Sequence, residues 1–155
     1  MKIFLKKHWK IITGLMFIGY LSIKTPYDKI FKEIGFKNNI NPNLLKSIVK
    51  QEGNFRSDAE NRSDREKSIG LGQINLQAWP QWSEIEMKDP YKNVQAMAFI
   101  INDLQSRYKS TTDIISAYNA GRPITRADGS YVNNSYVMSV YSRYLAYNAV
   151  NLGFL

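Results

Sequence analysis

Ser47-Ile48-Val49-Lys50-Gln51-Glu52-Gly53-Asn54-Phe55 is the segment from which the rest of the chain can be interpreted. Leu45, Ile48 and Val49 recur at helical spacing, so their side chains form one apolar stripe. Glu52 falls on the same stripe, and Gly53 predicts that the helix ends there. The helix dipole and apolar surroundings both raise the pKa of a carboxyl group in this position. The segment therefore predicts a general acid in the last helical turn. The alternative is a solvated glutamate at a frayed helix end.

The composition excludes several kinds of catalytic site. The 155 residues suffice for one small domain with an appended segment, and a hydrophobic content of 44% indicates a globular fold. The chain has no cysteine, which rules out disulfides, thiolate zinc sites and a cysteine nucleophile. The single histidine, His8, lies near the N-terminus and leaves no histidine-based triad or multi-histidine metal site. We therefore predict no metal and no cofactor, with carboxylates and tyrosines as the catalytic groups.

The net charge of +8 is concentrated at the N-terminus. Residues 1–24 hold five lysines and no acid, so the other sixteen basic residues face thirteen acidic ones and leave only +3. A mildly basic body is compatible with an anionic polymer as partner. The sequence lacks a basic helix with base-reading side chains, so we expect no nucleic-acid partner.

The N-terminal segment has the layout of an export signal or a membrane anchor. A basic stretch over residues 1–10 precedes an apolar run from Ile11 to Ile23, which Lys24 closes. The run is short beside the roughly 20 residues that a spanning helix needs, and no small-x-small cleavage pattern follows it. The pattern favours an uncleaved anchor over a cleaved signal, a buried helix of the domain being the third possibility. We therefore predict a membrane anchor at 1–24 and an exported domain at 25–155.

The rest of the chain predicts helices of ordinary length. Thr25-Pro26, Asn41-Pro42 and Asp89-Pro90 each place a capping residue before a proline, which is typical of a helix start. Residues 53–69 are highly charged and predict a solvated loop. No strand-like alternation persists, so the predicted fold class is all-α. The predicted helices run to about residue 36, from 42 to 52, from about 90 to 109, from 112 to 120 and from 134 to 150, with a short one opening at Gly70-Leu71-Gly72-Gln73.

Three further segments carry groups that suit a sugar-binding groove. Paired glycines around Gln73 let the backbone approach a ligand, and the Gln73 amide offers a donor and an acceptor. Tyr118 and Asn119 present a phenol and an amide at a helix end, and Tyr131 begins a tyrosine-rich turn. An acid combined with amides, phenols and aromatic rings is the chemistry of a groove for a sugar polymer. The segments are Ser68-Ile69-Gly70-Leu71-Gly72-Gln73-Ile74, Ser116-Ala117-Tyr118-Asn119-Ala120-Gly121 and Tyr131-Val132-Asn133-Asn134-Ser135-Tyr136.

Taken in order, these segments resemble the soluble lytic transglycosylase catalytic domain over about residues 38–148. The resemblance implies a lysozyme-like (goose-type or soluble lytic transglycosylase) helical domain, here preceded by the predicted membrane helix. It also implies an exported enzyme that cleaves the β-1,4 bond between N-acetylmuramic acid and N-acetylglucosamine in peptidoglycan. The matching segments are Glu52, Gly70-Leu71-Gly72-Gln73-Ile74, Asp89-Pro90-Tyr91-Lys92-Asn93 and Ala117-Tyr118-Asn119-Ala120-Gly121.

The resemblance assigns roles to individual residues. Glu52 matches the catalytic glutamate, and Gln73, Tyr118 and Asn119 match residues that line the substrate cleft. Ser63 stands near the position of a substrate-binding serine in the family. We add Tyr131 from the tyrosine-rich turn as a further substrate-binding candidate.

The chain also departs from the family pattern. Gly53 replaces the serine that usually follows the glutamate. Gly72 replaces a methionine that lines the sugar site in the family, and the segment between Glu52 and Gln73 is a few residues longer than usual. These changes affect the expected contacts with the sugar more than the type of reaction.

The predicted mechanism uses one carboxyl group, because the other acids before Gln73 are interpreted as part of a solvated loop. Protonated Glu52 donates to the glycosidic oxygen while the substrate's N-acetyl group assists at the anomeric carbon. Glu52 then removes the proton of the sugar's 6-hydroxyl, which closes a 1,6-anhydro ring. We expect Tyr118 to form a hydrogen bond near Glu52 and to hold the acetamido group.

Two alternatives use the same fold. A goose-type lysozyme would hydrolyse the bond with water, using an acid from residues 53–69 as the base. A peptidoglycan-binding scaffold without turnover is the other, and Gly53 and Gly72 are the features that favour it. The expected setting is local opening of the cell wall for a secretion or conjugation machine or for a phage. The domain would then be anchored in the cell envelope, facing the periplasm, or in a virion membrane.

Overall fold

The computed structural model of the protein describes residues 24–63 and 66–151. Within these residues the chain forms six α-helices and one small antiparallel sheet. The elements are α1 (Asp28–Lys37), α2 (Pro42–Glu52), β1 (Glu60–Ser63), β2 (Glu66–Ile69), β3 (Ile74–Asn75), α3 (Glu84–Lys88), α4 (Pro90–Arg107), α5 (Thr111–Ala120) and α6 (Asn134–Asn151).

The predicted helix starts are confirmed in detail at two prolines. Asn41 caps α2 by accepting a hydrogen bond from the Asn43 backbone N–H at 2.9 Å. Asp89 caps α4 in the same way, accepting from the Lys92 N–H at 2.8 Å. Each side chain satisfies a backbone donor that the first helical turn leaves unpaired. At Thr25-Pro26 the helix instead begins three residues after the threonine, at Asp28.

The all-α prediction was wrong in one region, because residues 60–75 contain a three-stranded sheet with the order β1-β2-β3. Several of the charges that indicated a solvated loop form ion pairs, either within the sheet or with α3. Arg62 contacts Glu60 at 2.8 Å and Glu84 of α3 at 2.7 Å, and Lys88 contacts Glu60 at 2.6 Å. Alternation of apolar and polar residues did not reveal the strands because β1 is exposed along its whole length.

The short helix predicted at Gly70 does not form. Residues 70–73 make a turn between β2 and β3, with positive φ angles at Gly70 (79°) and Gln73 (47°). A Cβ atom at Gly70 would lie 2.2 Å from the Met87 carbonyl oxygen, so only glycine fits there. The turn brings Gln73 back toward the end of α2.

The predicted role of α4 as the central helix is confirmed. It packs against α1, α2, α3, α5 and β3, and eight of its residues are buried. The end of α2 packs on α6, so the helix carrying Glu52 lies between α1 and α6. Leu45, Ile48 and Val49 are fully buried in this arrangement, as the apolar stripe predicts. Glu52 therefore lies half-buried at the edge of the core, where α2 ends.

The predicted membrane helix lies in residues 1–23, which fall outside the described residues. In the part of the chain from residue 24 onward that the structure describes, no helix has the length and apolarity needed to cross a membrane. The division into an anchor at 1–24 and a domain at 25–155 stays a prediction.

Candidate active site

Glu52 lies in a cleft of about 510 Å³ between the sheet and the helical part of the domain. The turn after β2 contributes Gln73, and the end of α5 contributes Tyr118 and Asn119. The structure thus brings together four of the six site residues that the sequence predicts, from segments up to 67 positions apart. The cleft also takes Glu66 and other residues from the sheet, which the sequence analysis did not assign to it.

The carboxyl group of Glu52 has a pKa raised to about 7. Burial is the largest cause, because α2 ends among apolar residues that disfavour the charged form. The negative charge of Glu66 raises the pKa further, whereas a hydrogen bond from Tyr136 lowers it. A carboxyl group with this pKa holds a proton in a substantial fraction of molecules at neutral pH, as a general acid requires.

The phenol that contacts Glu52 belongs to Tyr136, not to Tyr118 as the sequence analysis expected. Tyr136 donates to Glu52 Oε1 at 2.5 Å, while the Tyr118 hydroxyl donates to the Gly72 carbonyl oxygen at 2.8 Å. Burial and the nearby charge of Glu52 raise the pKa of both phenols well above its ordinary value, so both remain protonated donors. Tyr136 lies one helical turn before the buried Val140, so the two share a face of α6. The sequence offers no signal that distinguishes Tyr136 from the neighbouring tyrosines as the partner of Glu52.

A second set of contacts fixes α6 against the end of α2. Gln51 Oε1 accepts hydrogen bonds from Ser139 at 2.7 Å and from Arg143 at 2.8 Å. Ser139 and Arg143 follow Tyr136 by three and seven residues, so the three side chains share one face of α6. Gln51 thus holds in place the helix face from which Tyr136 contacts Glu52.

Tyr136→Phe is expected to shift the alkaline limb of the pH profile of kcat/KM to higher pH. The phenol lowers the pKa of Glu52, so its loss leaves that pKa higher and keeps the acid protonated over a wider range. The measurement is the rate of peptidoglycan solubilisation from pH 4 to 10. Tyr131→Phe is the matched control and should leave the limb in place; an unmoved limb in Tyr136→Phe would contradict the assignment.

Gln73 can offer a ligand only its carbonyl oxygen. Its side-chain nitrogen donates to the carbonyl oxygens of Ala59 and Gly70, each at 3.0 Å, so both amide hydrogens are used. The sequence predicted both a donor and an acceptor at this position. The structure orients the oxygen as an acceptor in the cleft, where an N–H or O–H group of a sugar is a suitable partner.

Asn119, in contrast to Gln73, can offer a ligand a hydrogen-bond donor. Its side-chain oxygen accepts a hydrogen bond from Asn133 at 2.9 Å, which orients the amide nitrogen as the group that remains to donate. Asn133 in turn accepts from Ser116 at 2.8 Å, so the end of α5 is tied to the segment before α6. The cleft therefore presents a fixed acceptor on one side and a donor on another.

Two predicted site residues lie elsewhere. Ser63 is exposed at the end of β1 and does not line the cleft, whereas Ser68 of β2 is buried there and donates to Glu66 at 2.6 Å. Tyr131 also lies outside the cleft, because its hydroxyl contacts Thr112 at 2.9 Å and Asp113 at 2.7 Å. The roles predicted for Ser63 and Tyr131 in substrate binding stay predictions.

Glu66 is a second carboxylate in the cleft. It is half-buried on β2 and accepts hydrogen bonds from Ser68 and from Asn61, the latter at 3.3 Å. From the sequence, Glu66 was predicted to lie in a solvated loop. The signal that was missed is the polar pair Glu66 and Ser68, which are two residues apart on a strand and so face the same side. Across residues 24–63 and 66–151, the acidic side chains form no cluster suited to a metal ion.

Gly53 and Gly72, the two glycines that depart from the family pattern, differ in how much space surrounds them. A Cβ atom at Gly72 would lie 2.4 Å from Met97 Cγ and 2.9 Å from the Tyr118 hydroxyl, so Met97 fills the space beside this position. At Gly53 the nearest atoms to an added Cβ lie at 3.4 Å, which is ordinary contact distance. A serine would therefore fit at position 53, whereas a methionine at 72 would require Met97 to move.

The model of the transglycosylase SLT domain family matches residues 29–140 of the chain. The match includes Glu52, the turn that carries Gln73, the Asn93 segment and the Tyr118-Asn119 pair. The chain belongs to this family. Membership confirms the resemblance drawn from the sequence and supports a transglycosylase that acts on peptidoglycan glycan strands. A search of curated proteins gives no match to the chain.

Proposed function

We propose that this SLT domain is a lytic transglycosylase that cleaves the N-acetylmuramic acid–β-1,4–N-acetylglucosamine bond and leaves a 1,6-anhydro end. The observation that carries the proposal is the Glu52 carboxyl group, which lies in the cleft with a pKa raised to about 7. One group with this pKa can serve as acid in one step and as base in the next. Its phenol partner, Tyr136, stays protonated throughout.

The reaction proceeds in two proton transfers. Glu52 donates its proton to the leaving 4-oxygen of N-acetylglucosamine as the C1–O4 bond of N-acetylmuramic acid breaks, and the substrate's acetamido oxygen stabilises C1. The 6-hydroxyl oxygen then bonds to C1, and its proton returns to Glu52. Tyr136 stabilises the carboxylate between the two steps because it donates to Oε1. Gln73 accepts from a sugar N–H or O–H and holds the ring in place.

Product analysis tests the proposal. Purified peptidoglycan digested by the full chain should yield muropeptides that are lighter by one water and have no reducing end. Mass spectrometry after borohydride reduction separates these from hydrolysis products, which gain two hydrogens. Reducing-end products would contradict the proposal in favour of a lysozyme. Binding of insoluble peptidoglycan without release of fragments would instead indicate a scaffold.

Glu66 favours a second candidate, a goose-type lysozyme on the same fold. A hydrolase needs a base to activate water, and Glu66 is a carboxylate in the same cleft as Glu52. Against this role, Glu66 is already held by hydrogen bonds from Ser68 and Asn61, and Glu52 needs no second acid to close an anhydro ring.

Glu66→Gln separates the two candidates. In a transglycosylase we expect cleavage and anhydro products to persist. The alkaline limb of kcat/KM should move to lower pH, because the substitution removes the Glu66 charge that raises the pKa of Glu52. In a lysozyme the same substitution should cost about 100-fold or more in kcat, the scale of a lost general base. Glu60→Gln, on the same hairpin but outside the cleft, is the control.

We also propose that the domain works at a membrane of the cell envelope, facing the periplasm, or at a virion membrane. The basic and apolar character of residues 1–24 supports an uncleaved anchor. Local wall opening for a secretion or conjugation machine, or for a phage, suits such a small enzyme. The full chain should fractionate with membranes and keep its N-terminal residues in an intact-mass measurement; a soluble product that begins near residue 25 would contradict the anchor.

A further inference from the structure

Three large aromatic side chains form a surface beside the cleft, which we call the aromatic platform: Trp79, Trp82 and Phe99. The ring centroids of Trp79 and Trp82 lie 5.8 Å apart, and Phe99 contacts both edge-on at 5.9 and 5.7 Å. Phe99 remains 54% exposed although its neighbours Ala98 and Ile100 on α4 are buried. Trp79 and Trp82 are half-buried and pack against the core, and each keeps part of its surface exposed. A partly exposed aromatic cluster of this kind is typical of a binding surface.

The aromatic platform is continuous with the cleft that holds Glu52. Trp79 belongs to both, because it lines the cleft and contacts the other two rings. A chain-like substrate that passes Glu52 and leaves the cleft on this side would meet the platform next. The platform therefore extends the substrate path instead of forming a separate site.

The surroundings of the platform indicate an uncharged ligand. Residues 73–83, which carry both tryptophans, contain no charged residue, and Arg107, the basic residue that lines the adjoining cleft, is paired with Asp103. This composition does not suit a nucleic-acid backbone or an anionic lipid surface, both of which require lysine or arginine. The C–H face of a pyranose ring is apolar and flat, so it matches an aromatic ring in shape and polarity.

We propose that the aromatic platform binds a saccharide unit of the glycan strand distant from the bond being cleaved, so that longer strands are preferred. The proposal rests on the proposed action on peptidoglycan, but it concerns binding and does not depend on which product forms. Stacking of one ring should strengthen binding by about 2- to 10-fold, the range that aromatic contacts contribute beyond area burial.

The tryptophans provide a direct measurement. The chain has three, and Trp9 lies outside the described residues, so in a full-length Trp9→Phe variant all tryptophan emission comes from the platform. Glu52→Gln is added to prevent turnover. The probes are N-acetylglucosamine tetramer and hexamer, which are neutral. We expect the hexamer to change the emission and to bind about 2- to 10-fold more tightly than the tetramer.

Phe99→Ala in this background should abolish the preference for the hexamer while tetramer binding persists. Phe36→Ala is the matched control, because Phe36 is also an exposed phenylalanine, on α1 and outside the cleft, and it should leave the preference unchanged. An emission that does not respond to the hexamer, or a preference that survives Phe99→Ala, would overturn the proposal. Because binding is measured without turnover, these outcomes are distinct from a failure of the proposed catalysis.

Discussion

Glu52→Gln is expected to abolish cleavage of peptidoglycan and, at the same time, to stabilise the fold above neutral pH. The amide cannot donate and recover a proton, so we expect the rate to fall by at least about 1,000-fold, near the upper range for loss of an acid/base group. The Gln oxygen still accepts the hydrogen bond from Tyr136, which preserves the contact between α2 and α6. Release of soluble muropeptides measures the first effect, and thermal unfolding from pH 4 to 9 measures the second.

The pH dependence follows from the raised pKa of Glu52. The folded protein holds a proton at this group up to about pH 7, whereas in the unfolded chain the carboxyl group has its ordinary pKa of 4.5. Between pH 4.5 and about pH 7 the unfolded state binds fewer protons than the folded state, so the wild-type protein loses stability as the pH rises through this range. The lost stability is not regained at higher pH. The variant avoids this loss and should exceed the wild type by up to about 3 kcal/mol at pH 8. At pH 4 the two should differ little.

Glu33→Gln serves as the control for both measurements. Glu33 is an exposed carboxylate on α1, away from the cleft, with contacts to Lys37 and Tyr91. It should retain full activity and show no gain in stability at high pH. Residual cleavage of more than a few per cent in Glu52→Gln, with the fold intact, would remove Glu52 from the role of acid/base. A stability difference that is equal at pH 4 and pH 8 would contradict the raised pKa.

The helix that carries Glu52 could be predicted from the sequence because its pattern is local. The stripe of Leu45, Ile48 and Val49 fixes which side of α2 is buried, and Glu52 follows on that side wherever the helix packs. The caps at Asn41 and Asp89 are local in the same sense, since each contact spans two or three residues. The positions of α2 and α4 were therefore predicted closely.

The remaining features depend on contacts between distant segments. Tyr136 lies 84 residues from Glu52, and nothing in the tyrosine-rich turn shows which phenol α6 will direct at α2. Glu66 faces the cleft only because β2 pairs with β1 and β3, and the polar sequence of β1 carries no alternation. Family resemblance located the Gln73 turn but not its conformation, because the positive φ at Gly70 is imposed by Met87 and Asn93 packed against it.

Asn93→Ala is expected to be the most destabilising polar substitution near the cleft. Asn93 is fully buried on α4 and donates to the carbonyl oxygens of Ile69 at 2.9 Å and Met87 at 2.8 Å. It also accepts from the Gly72 N–H at 2.8 Å. Alanine would leave three buried backbone groups without this partner, at about 1–3 kcal/mol each before relaxation. We therefore expect a loss of about 3–5 kcal/mol in the free energy of unfolding, measured by denaturant titration.

A shape-matched substitution distinguishes the hydrogen bonds from the volume of the side chain. Asn93→Asp keeps the size but replaces the donor with an oxygen that faces two carbonyl oxygens, so it should be at least as destabilising as alanine. Asn102→Ala, an exposed asparagine on the same helix, should change stability by less than about 0.5 kcal/mol. A stable Asn93→Asp protein would show that packing alone fixes the turn. If both Asn93 variants lose stability, α4 holds the backbone of residues 69–72 and thereby the turn that places Gln73 in the cleft beside Glu52.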